Sequence, residues 1–358
     1  MQPPKHITAM LQMMRHPAFC VQGGVIIAAN DPALSRLVPV GEDVRRLMTT
    51  GTAEYGDFRE GRICLTLKLS GTEYFATVQI LEGFHIFSLE PERSDEQLQV
   101  LALAAQQLRN PLSNVKAMMD QLLPEGKPRH PDEETELQLA YLYRALDQMQ
   151  RIIYNMSDAN RYASTPARMS VRDVNAVMSE LFERAGALCE QVGVRLSYEG
   201  TPSAVYTLVD SDRLERCIYN MISNALKHTP KGGFIQASLK RSGNLLLLTI
   251  QDSGEGIDLD KSADLYARYL REPSLDSFGT GLGLGMSLIR SCARSHGGAV
   301  MISSGKNQGL RLTMSLKIRL ESTLASPTMP FDYAGDQDHG LIELADALPP
   351  ELYKPRKH

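Results

Sequence analysis

The stretch Asn220-Met221-Ile222-Ser223-Asn224-Ala225-Leu226-Lys227-His228-Thr229 is followed by Asp252-Ser253-Gly254-Glu255-Gly256 and then by Gly279-Thr280-Gly281-Leu282-Gly283-Leu284-Gly285. A spacing of four puts Asn220 and Asn224 on one face of a helix. Two neutral amide oxygens there can ligate Mg²⁺ or its waters and leave positions for phosphates. Lys227, three residues on, offers a cation to the same anion. Asp252 ends an apolar run, and a carboxylate at a strand end can accept from an adenine amino group. The glycines beside it let backbone approach a base. The third stretch opens a helix, whose free N–H groups bind phosphate. Alone, each has a plain reading: surface polarity, a turn, a flexible loop. Together, in this order on helix, strand end and loop-to-helix, they are specific.

The flanking sequence supplies a fold for them. Helices are predicted over 171–191, 211–228 and 281–296, the second capped by Asp210 or Ser211. Strands are predicted over 194–198, 205–209, 299–303 and 310–318. Residues 234–240 and 245–251 form a hairpin around Ser242-Gly243-Asn244.

The three stretches resemble the N box and the two glycine boxes of the histidine-kinase ATP-binding domain, within the wider GHKL (Bergerat) fold. The likeness covers about residues 169–320, inside a domain drawn at 166–320. It implies an α/β sandwich that binds ATP with Mg²⁺. By resemblance Asn224 holds the metal, Asp252 reads adenine, and Asn220, Lys227 and His228 line the site. Gly254, Gly256, Thr280, Gly281, Leu282, Gly283 and Leu284 shape the pocket and its lid, which spans 257–278. His228 departs from the aromatic residue usual at its position, and residues 265–269 are a weak aromatic box. GHKL ATPases of the gyrase and chaperone type carry a Glu base where this chain has Asn220. Water activation is therefore disfavoured, and phosphoryl transfer to a protein side chain is the better reading.

Upstream lie two helical stripes. Leu98, Leu101, Ala105, Leu108, Leu112, Val115, Met119 and Leu122 recur at spacings of three and four, a heptad seam. Ser94 with Gln97 suits a capping box at its start. Pro124, Gly126 and Pro128 break it. Asp132, Glu133 and Glu134 then suit the first turn of a second helix, with Leu139, Leu142, Leu146, Met149, Ile153 and Met156 as its stripe. The pair, within 92–165, makes an antiparallel hairpin whose uncovered apolar face favours a four-helix dimer. Gln106-Gln107-Leu108-Arg109-Asn110-Pro111-Leu112 resembles the histidine-kinase dimerisation motif His-Glu-Leu-Arg-Thr-Pro-Leu. Gln106 stands where the phosphoaccepting His belongs, and Gln107 where the acidic base belongs. A carboxamide nitrogen is not an imidazole, and neutral Gln107 takes no proton at pH 7. The resemblance thus implies a pseudokinase that binds ATP without autophosphorylating. The alternative is an active enzyme: a response-regulator phosphatase using Asn110, which shares a face with Gln106, or a kinase with a non-standard acceptor. A GHKL ATPase ranks below both.

The first segment, 1–91, reads as α+β. Strands at 18–21 and 25–29 flank Gly23-Gly24, helices are predicted at 32–37 and 42–48, and alternation over 63–69, 74–80 and 85–89 makes a meander. Hairpin, helices and meander resemble a PAS-type sensory domain. The tail, 321–358, reads as largely irregular, with one short helix near 341–347.

Composition bounds the rest. The 358 residues suggest two or three domains at about 150 each. Charged residues are 22% and hydrophobic ones 43%, ordinary for a globular chain. The 38 Lys+Arg against 42 Asp+Glu give a net charge of −4, which argues against a broad basic nucleic-acid surface. No apolar run approaches membrane-spanning length and no secretory signal is evident. The five scattered cysteines suggest buried thiols rather than disulfides or a metal site. The expectation is a cytoplasmic α+β multidomain protein, a homodimer through 92–165, with a response regulator or another histidine kinase as partner.

Overall fold

The computed structural model describes residues 3–91, 104–105, 108–109, 112–113, 115, 133–256, 284–304, 309–319 and 339–353. The motif residues Gln106, Gln107 and Asn110, the lid 257–278, and Thr280, Gly281, Leu282 and Gly283 lie outside them.

The N-terminal unit begins with helix α1 (Lys5–Met13), whose Ile7, Met10 and Leu11 are buried. Strands β1 (Ala18–Gln22) and β2 (Val25–Ala29) form the hairpin, turning through Gly23 and Gly24 at positive φ. Asn30 caps the short helix α2 (Asp31–Leu34) and also donates to the carbonyls of Leu11, Met14 and His16, pinning α1 to the sheet. Strand β3 (Met48–Thr50) and helix α3 (Thr52–Asp57) precede the meander β4 (Arg62–Leu69), β5 (Thr72–Leu81) and β6 (Phe84–Pro91). Two helices were expected at 32–37 and 42–48. The first is shorter, and the second is a 3-10 turn over Val44–Leu47 leading into β3.

Helix α4 (Glu133–Ser164) runs for 32 residues. Residues 104–105, 108–109, 112–113 and 115 are helical. Ala105 packs with Ile153 and Met156 of α4, and Arg109 donates to Ser157 at 3.5 Å. These are the described parts of the expected hairpin.

The C-terminal unit follows with β7 (Ser170–Asp173), α5 (Val174–Gln191), β8 (Arg195–Glu199), β9 (Tyr206–Val209) and α6 (Ser211–His228). Then come β10 (Phe234–Ser242), β11 (Leu245–Asp252), α7 (Leu284–Ser295), β12 (Val300–Ser304) and β13 (Leu310–Lys317). Helices α5, α6 and α7 bury their apolar stripes on the sheet in one core. Asp210 caps α6, accepting from the Arg213 amide at 3.1 Å. The small pair β7–β9 stands apart from the main sheet.

The two units share one sheet. The described strands run β2-β1-β6-β5-β4-β12-β13-β11-β10-β8, with β3 also on β4. The join is antiparallel, Cys64 opposite Val300 and Arg62 opposite Ile302. Two glycines of the N-terminal unit permit the approach. A Cβ on Gly61 (φ +78°) would lie 2.3 Å from the Ile302 carbonyl oxygen, and one on Gly51 (φ +79°) would lie 3.0 Å from the Ala299 Cβ. Buried Ala299 belongs to the N-terminal core although the C-terminal unit carries it. Side chains reinforce the seam: Ser315 Oγ donates to Glu54, and Arg290 of α7 donates to Glu90 of β6 and to Thr77 of β5.

In the tail, expected to be largely irregular with one short helix near 341–347, the described residues 339–353 carry helix α8 (His339–Glu343), a little earlier than expected, and a 3-10 turn, Pro350–Leu352. Leu344, Ala345, Leu348 and Tyr353 are buried in the C-terminal core. Four apolar groups removed from water outweigh what a prolyl-rich composition suggests.

Candidate nucleotide site

A cleft opens between α6 and the ends of β11 and β13. Met221, Asn224, Ala225, His228, Ile250, Asp252, Met286, Ile302, Leu310 and Leu312 line it. Its walls are apolar, with Asp252, Asn224 and His228 as the polar groups, the pattern of a small-molecule site.

Asp252 sits at the cleft floor, 3% exposed. Its Oδ1 accepts from the Gly254 amide at 2.9 Å and from the Leu310 amide at 3.2 Å. These bonds fix the carboxylate plane. The glycines around it are needed for close approach. A Cβ on Gly254 would lie 2.3 Å from the His228 carbonyl oxygen, and one on Gly309 would lie 1.8 Å from the Asp252 carbonyl oxygen. Gly256 has φ +71°. Gly309 lies outside the sequence motifs, and only its contact with Asp252 identifies it.

The asparagines differ. Asn224 is half-buried and faces the cleft. Asn220 is buried and both ends of its amide are taken: Nδ2 donates to the Arg216 carbonyl at 2.8 Å, and Oδ1 accepts from Arg151 of α4 at 3.2 Å. A Cβ on Gly285, in the first turn of α7, would lie 2.9 Å from that Oδ1. So Asn220 stands where α4, α6 and α7 meet, rather than beside Asn224 as an open metal ligand. Lys227 points away from the cleft lining to Asp346 of the tail, 3.2 Å from its Oδ2. His228 lines the cleft, and both residues lie in the last turn of α6, where cations suit the helix dipole.

Behind Asn220 lies a buried charge network. Arg216 bonds Glu343 at 2.9 Å and Asp158 of α4 at 2.9 Å. Arg151 reaches Asp346 at 2.6 Å and Glu343 at 4.0 Å. Burial pushes the Asp158 carboxyl up, against the pull of Arg216 and Arg161. Burial also pushes Glu215 up to about 7 and His339, 3.9 Å from it, down. None of Arg151, Glu343 or Asp346 carries a sequence signal; only the docked tail brings them together. Among the described residues, no group of three or more His, Cys, Asp or Glu could hold a metal ion. The five cysteines are buried and free. Among the described residues, no helix is long and apolar enough to cross a membrane.

Two family models match the chain. Residues 209–320 match the "Histidine kinase-, DNA gyrase B-, and HSP90-like ATPase", and residues 96–164 match the "His Kinase A (phospho-acceptor) domain". The chain belongs to the sensor histidine kinase family. It is 29% identical over 231 residues to the adaptive-response sensory kinase SasA of Synechococcus elongatus, covering 61% of this chain and 58% of that one. It is 26% identical over 251 residues to the sensor protein IrlS of Burkholderia pseudomallei, covering 67% and 51%. The chain thus spans between half and three fifths of these relatives. A solved full-length ShkA in complex with AMPPNP aligns at 19% identity over 64% of this chain and 47% of that one, with a TM-score of 0.47.

Proposed function

We propose that this histidine-kinase-family chain binds Mg-ATP in the cleft and signals without phosphorylating itself. The observation that carries the nucleotide reading is Asp252, buried at the cleft floor with Oδ1 held by two amides. That leaves Oδ2 to accept from an adenine amino group, between apolar walls that suit a base. The donor set fits the cofactor in part. Asn224 is the residue to hold Mg²⁺, which keeps most of its own waters and needs few protein ligands. Asn220 supports the site from behind. Bound Mg-ATP supplies an electrophilic phosphoryl group. This chain's residues orient it, and nothing in the sequence offers the usual acceptor, because Gln106 and Gln107 replace His and the acidic base.

The long apolar face of α4 supports a dimer. Leu137, Tyr141, Leu142, Met149 and Ile152 are each at least 40% exposed, and a second copy would cover them. The N-terminal hairpin, short helices and meander support the PAS-like sensory reading. A response regulator or another histidine kinase is the partner to expect, in the cytoplasm.

The test is incubation with Mg²⁺ and γ-labelled ATP, with binding measured on the same sample. Binding without protein-bound label is expected. Acid-labile label would instead assign a kinase with another acceptor. Dephosphorylation of a phosphorylated regulator that is lost in Asn110→Ala would assign the phosphatase.

A further inference from the structure

Asp346 occupies a pair of cations beside the cleft. Its Oδ2 accepts from Arg151 Nη1 at 2.6 Å and from Lys227 Nζ at 3.2 Å, and the same guanidinium donates through Nη2 to Asn220 Oδ1 at 3.2 Å. A carboxylate bridging an Arg and a Lys is what a phosphate group does at such a pair. We propose that the tail segment 339–353 is an internal lock in which Asp346 holds the cations that the nucleotide's phosphates would otherwise engage. This rests on the nucleotide reading of the cleft and adds two things to it: Arg151 as a phosphate-facing residue, and the tail as its competitor.

The segment is built to hold that position. The Ala345 carbonyl accepts from Arg144 and Gln148 of α4, each at 3.2 Å. Glu343, wholly buried, bonds Arg216 at 2.9 Å. Leu344 and Leu348 sink into the core on either side. Asp346 itself keeps about a third of its side chain in water, at 32% exposure. It can be displaced without unpacking its neighbours. Lys227 lies one residue before His228, which lines the cleft, so the ammonium is within a side chain's swing of a bound polyphosphate. The lock also clamps α4 to α6, because Arg151 and Lys227 sit on those helices. Displacing Asp346 therefore removes one tie between α4 and α6, while Arg216 on Asp158 and Arg151 on Asn220 remain. Nucleotide binding and displacement of Asp346 become one equilibrium, and by linkage each favours the other.

The test compares Mg-ATP with adenosine, which has the base but no phosphate, by calorimetry on the full chain. Asp346→Asn keeps the size and removes the charge. Asp346→Glu keeps the charge and serves as the control. The lock predicts that Asp346→Asn binds Mg-ATP at least about fivefold more tightly than the parent chain, that adenosine affinity is unchanged, and that Asp346→Glu stays near the parent. Unchanged or weaker Mg-ATP binding in Asp346→Asn overturns the lock. So does an equal shift for both ligands, which would mean general loosening of the cleft. If neither ligand binds the parent or either variant, the nucleotide reading fails and the lock with it.

Discussion

Arg290 Nη1 lies 2.8 Å from Glu90 Oε2, and this contact ties α7 of the C-terminal unit to β6 of the N-terminal one. Arg290 is buried, its Nη2 on Thr77 at 3.3 Å and its guanidinium over the Phe75 ring. One turn on, Arg294 lies 4.9 Å from the same ring. The first turn of α7 packs on Asn220. A single helix thus touches the N-terminal sheet through Arg290 and the candidate nucleotide cleft's Asn220 through its first turn. Removing Glu90 leaves a buried cation without its carboxylate. Glu90→Ala should cost about 2 kcal/mol in urea denaturation, less than for a fully buried pair because Glu90 is partly solvated. A cost near zero would mean that Thr77 and Phe75 hold Arg290 unaided.

Gly61 and Gly71 separate backbone strain from the seam between the units. Both have positive φ, +78° and +89°, but a Cβ on Gly71 meets nothing within 4 Å whereas one on Gly61 would strike the Ile302 carbonyl. Gly71→Ala should cost about 1–2 kcal/mol, the left-handed penalty. Gly61→Ala should cost about 3 kcal/mol or more and split the denaturation curve into two steps as β4 and β12 part. Equal costs would show that the strand pairing adds little.

Gln106 and Gln107 can be tested by restoration. Gln106→His together with Gln107→Glu rebuilds the acceptor and the base that the family's helix carries. The pair should yield acid-labile label from γ-labelled ATP where the parent chain yields none. Failure of the double variant, with nucleotide bound, would place the defect elsewhere than in the acceptor.

Glu215 sets a pH dependence. Burial raises it from an ordinary 4.5 to about 7, with Glu343 and Asp212 adding to the shift and Arg184 and Arg216 opposing it. His339 also faces it. Between those values the folded chain binds more protons than the unfolded one, so this group's contribution to stability is full below pH 4.5 and is lost as pH rises through 7. Glu215→Gln should therefore melt higher than the parent at pH 8 and close to it at pH 4.5, with a difference of at most about 3 kcal/mol. A gain at low pH alone would reverse the sign and refute the assignment.

Where local pattern is strong, the sequence and the structure agree. The alternation at Ile63, Leu65, Leu67 and Leu69 marks β4, and Gly23-Gly24 marks the first hairpin. The amphipathic stripe of α6, with Asp210 before it, places both asparagines on a helix. What escaped is what depends on distant partners. α1 is a single short helix whose Ile7, Met10 and Leu11 find their place only against Ala18, Cys20 and Ile86 of the sheet, with Asn30 pinning its end. β7, Ser-Val-Arg-Asp, has no strand pattern and exists because β9 pairs with it. Gly309 reads as a turn until Asp252 is beside it. Asp346 reads as one more acidic residue in a polar tail. The pairing of β4 with β12 joins residues more than 230 apart, and no periodicity encodes it.

That pairing has a further consequence for how the chain can be divided. A strand with no neighbour on one side offers its N–H and C=O groups to any other chain. Among the described strands of the main sheet, β2 and β8 are the ends of the path. Cutting the protein between its two units would make two more open edges at once, one along β12 and one along the Arg62–Cys64 end of β4 that β3 leaves uncovered. Each half would then present a backbone template, flanked by buried apolar side chains, on which copies could stack. The seam is in this sense a safeguard against self-association as well as a joint, and fragments that divide it are prone to aggregate.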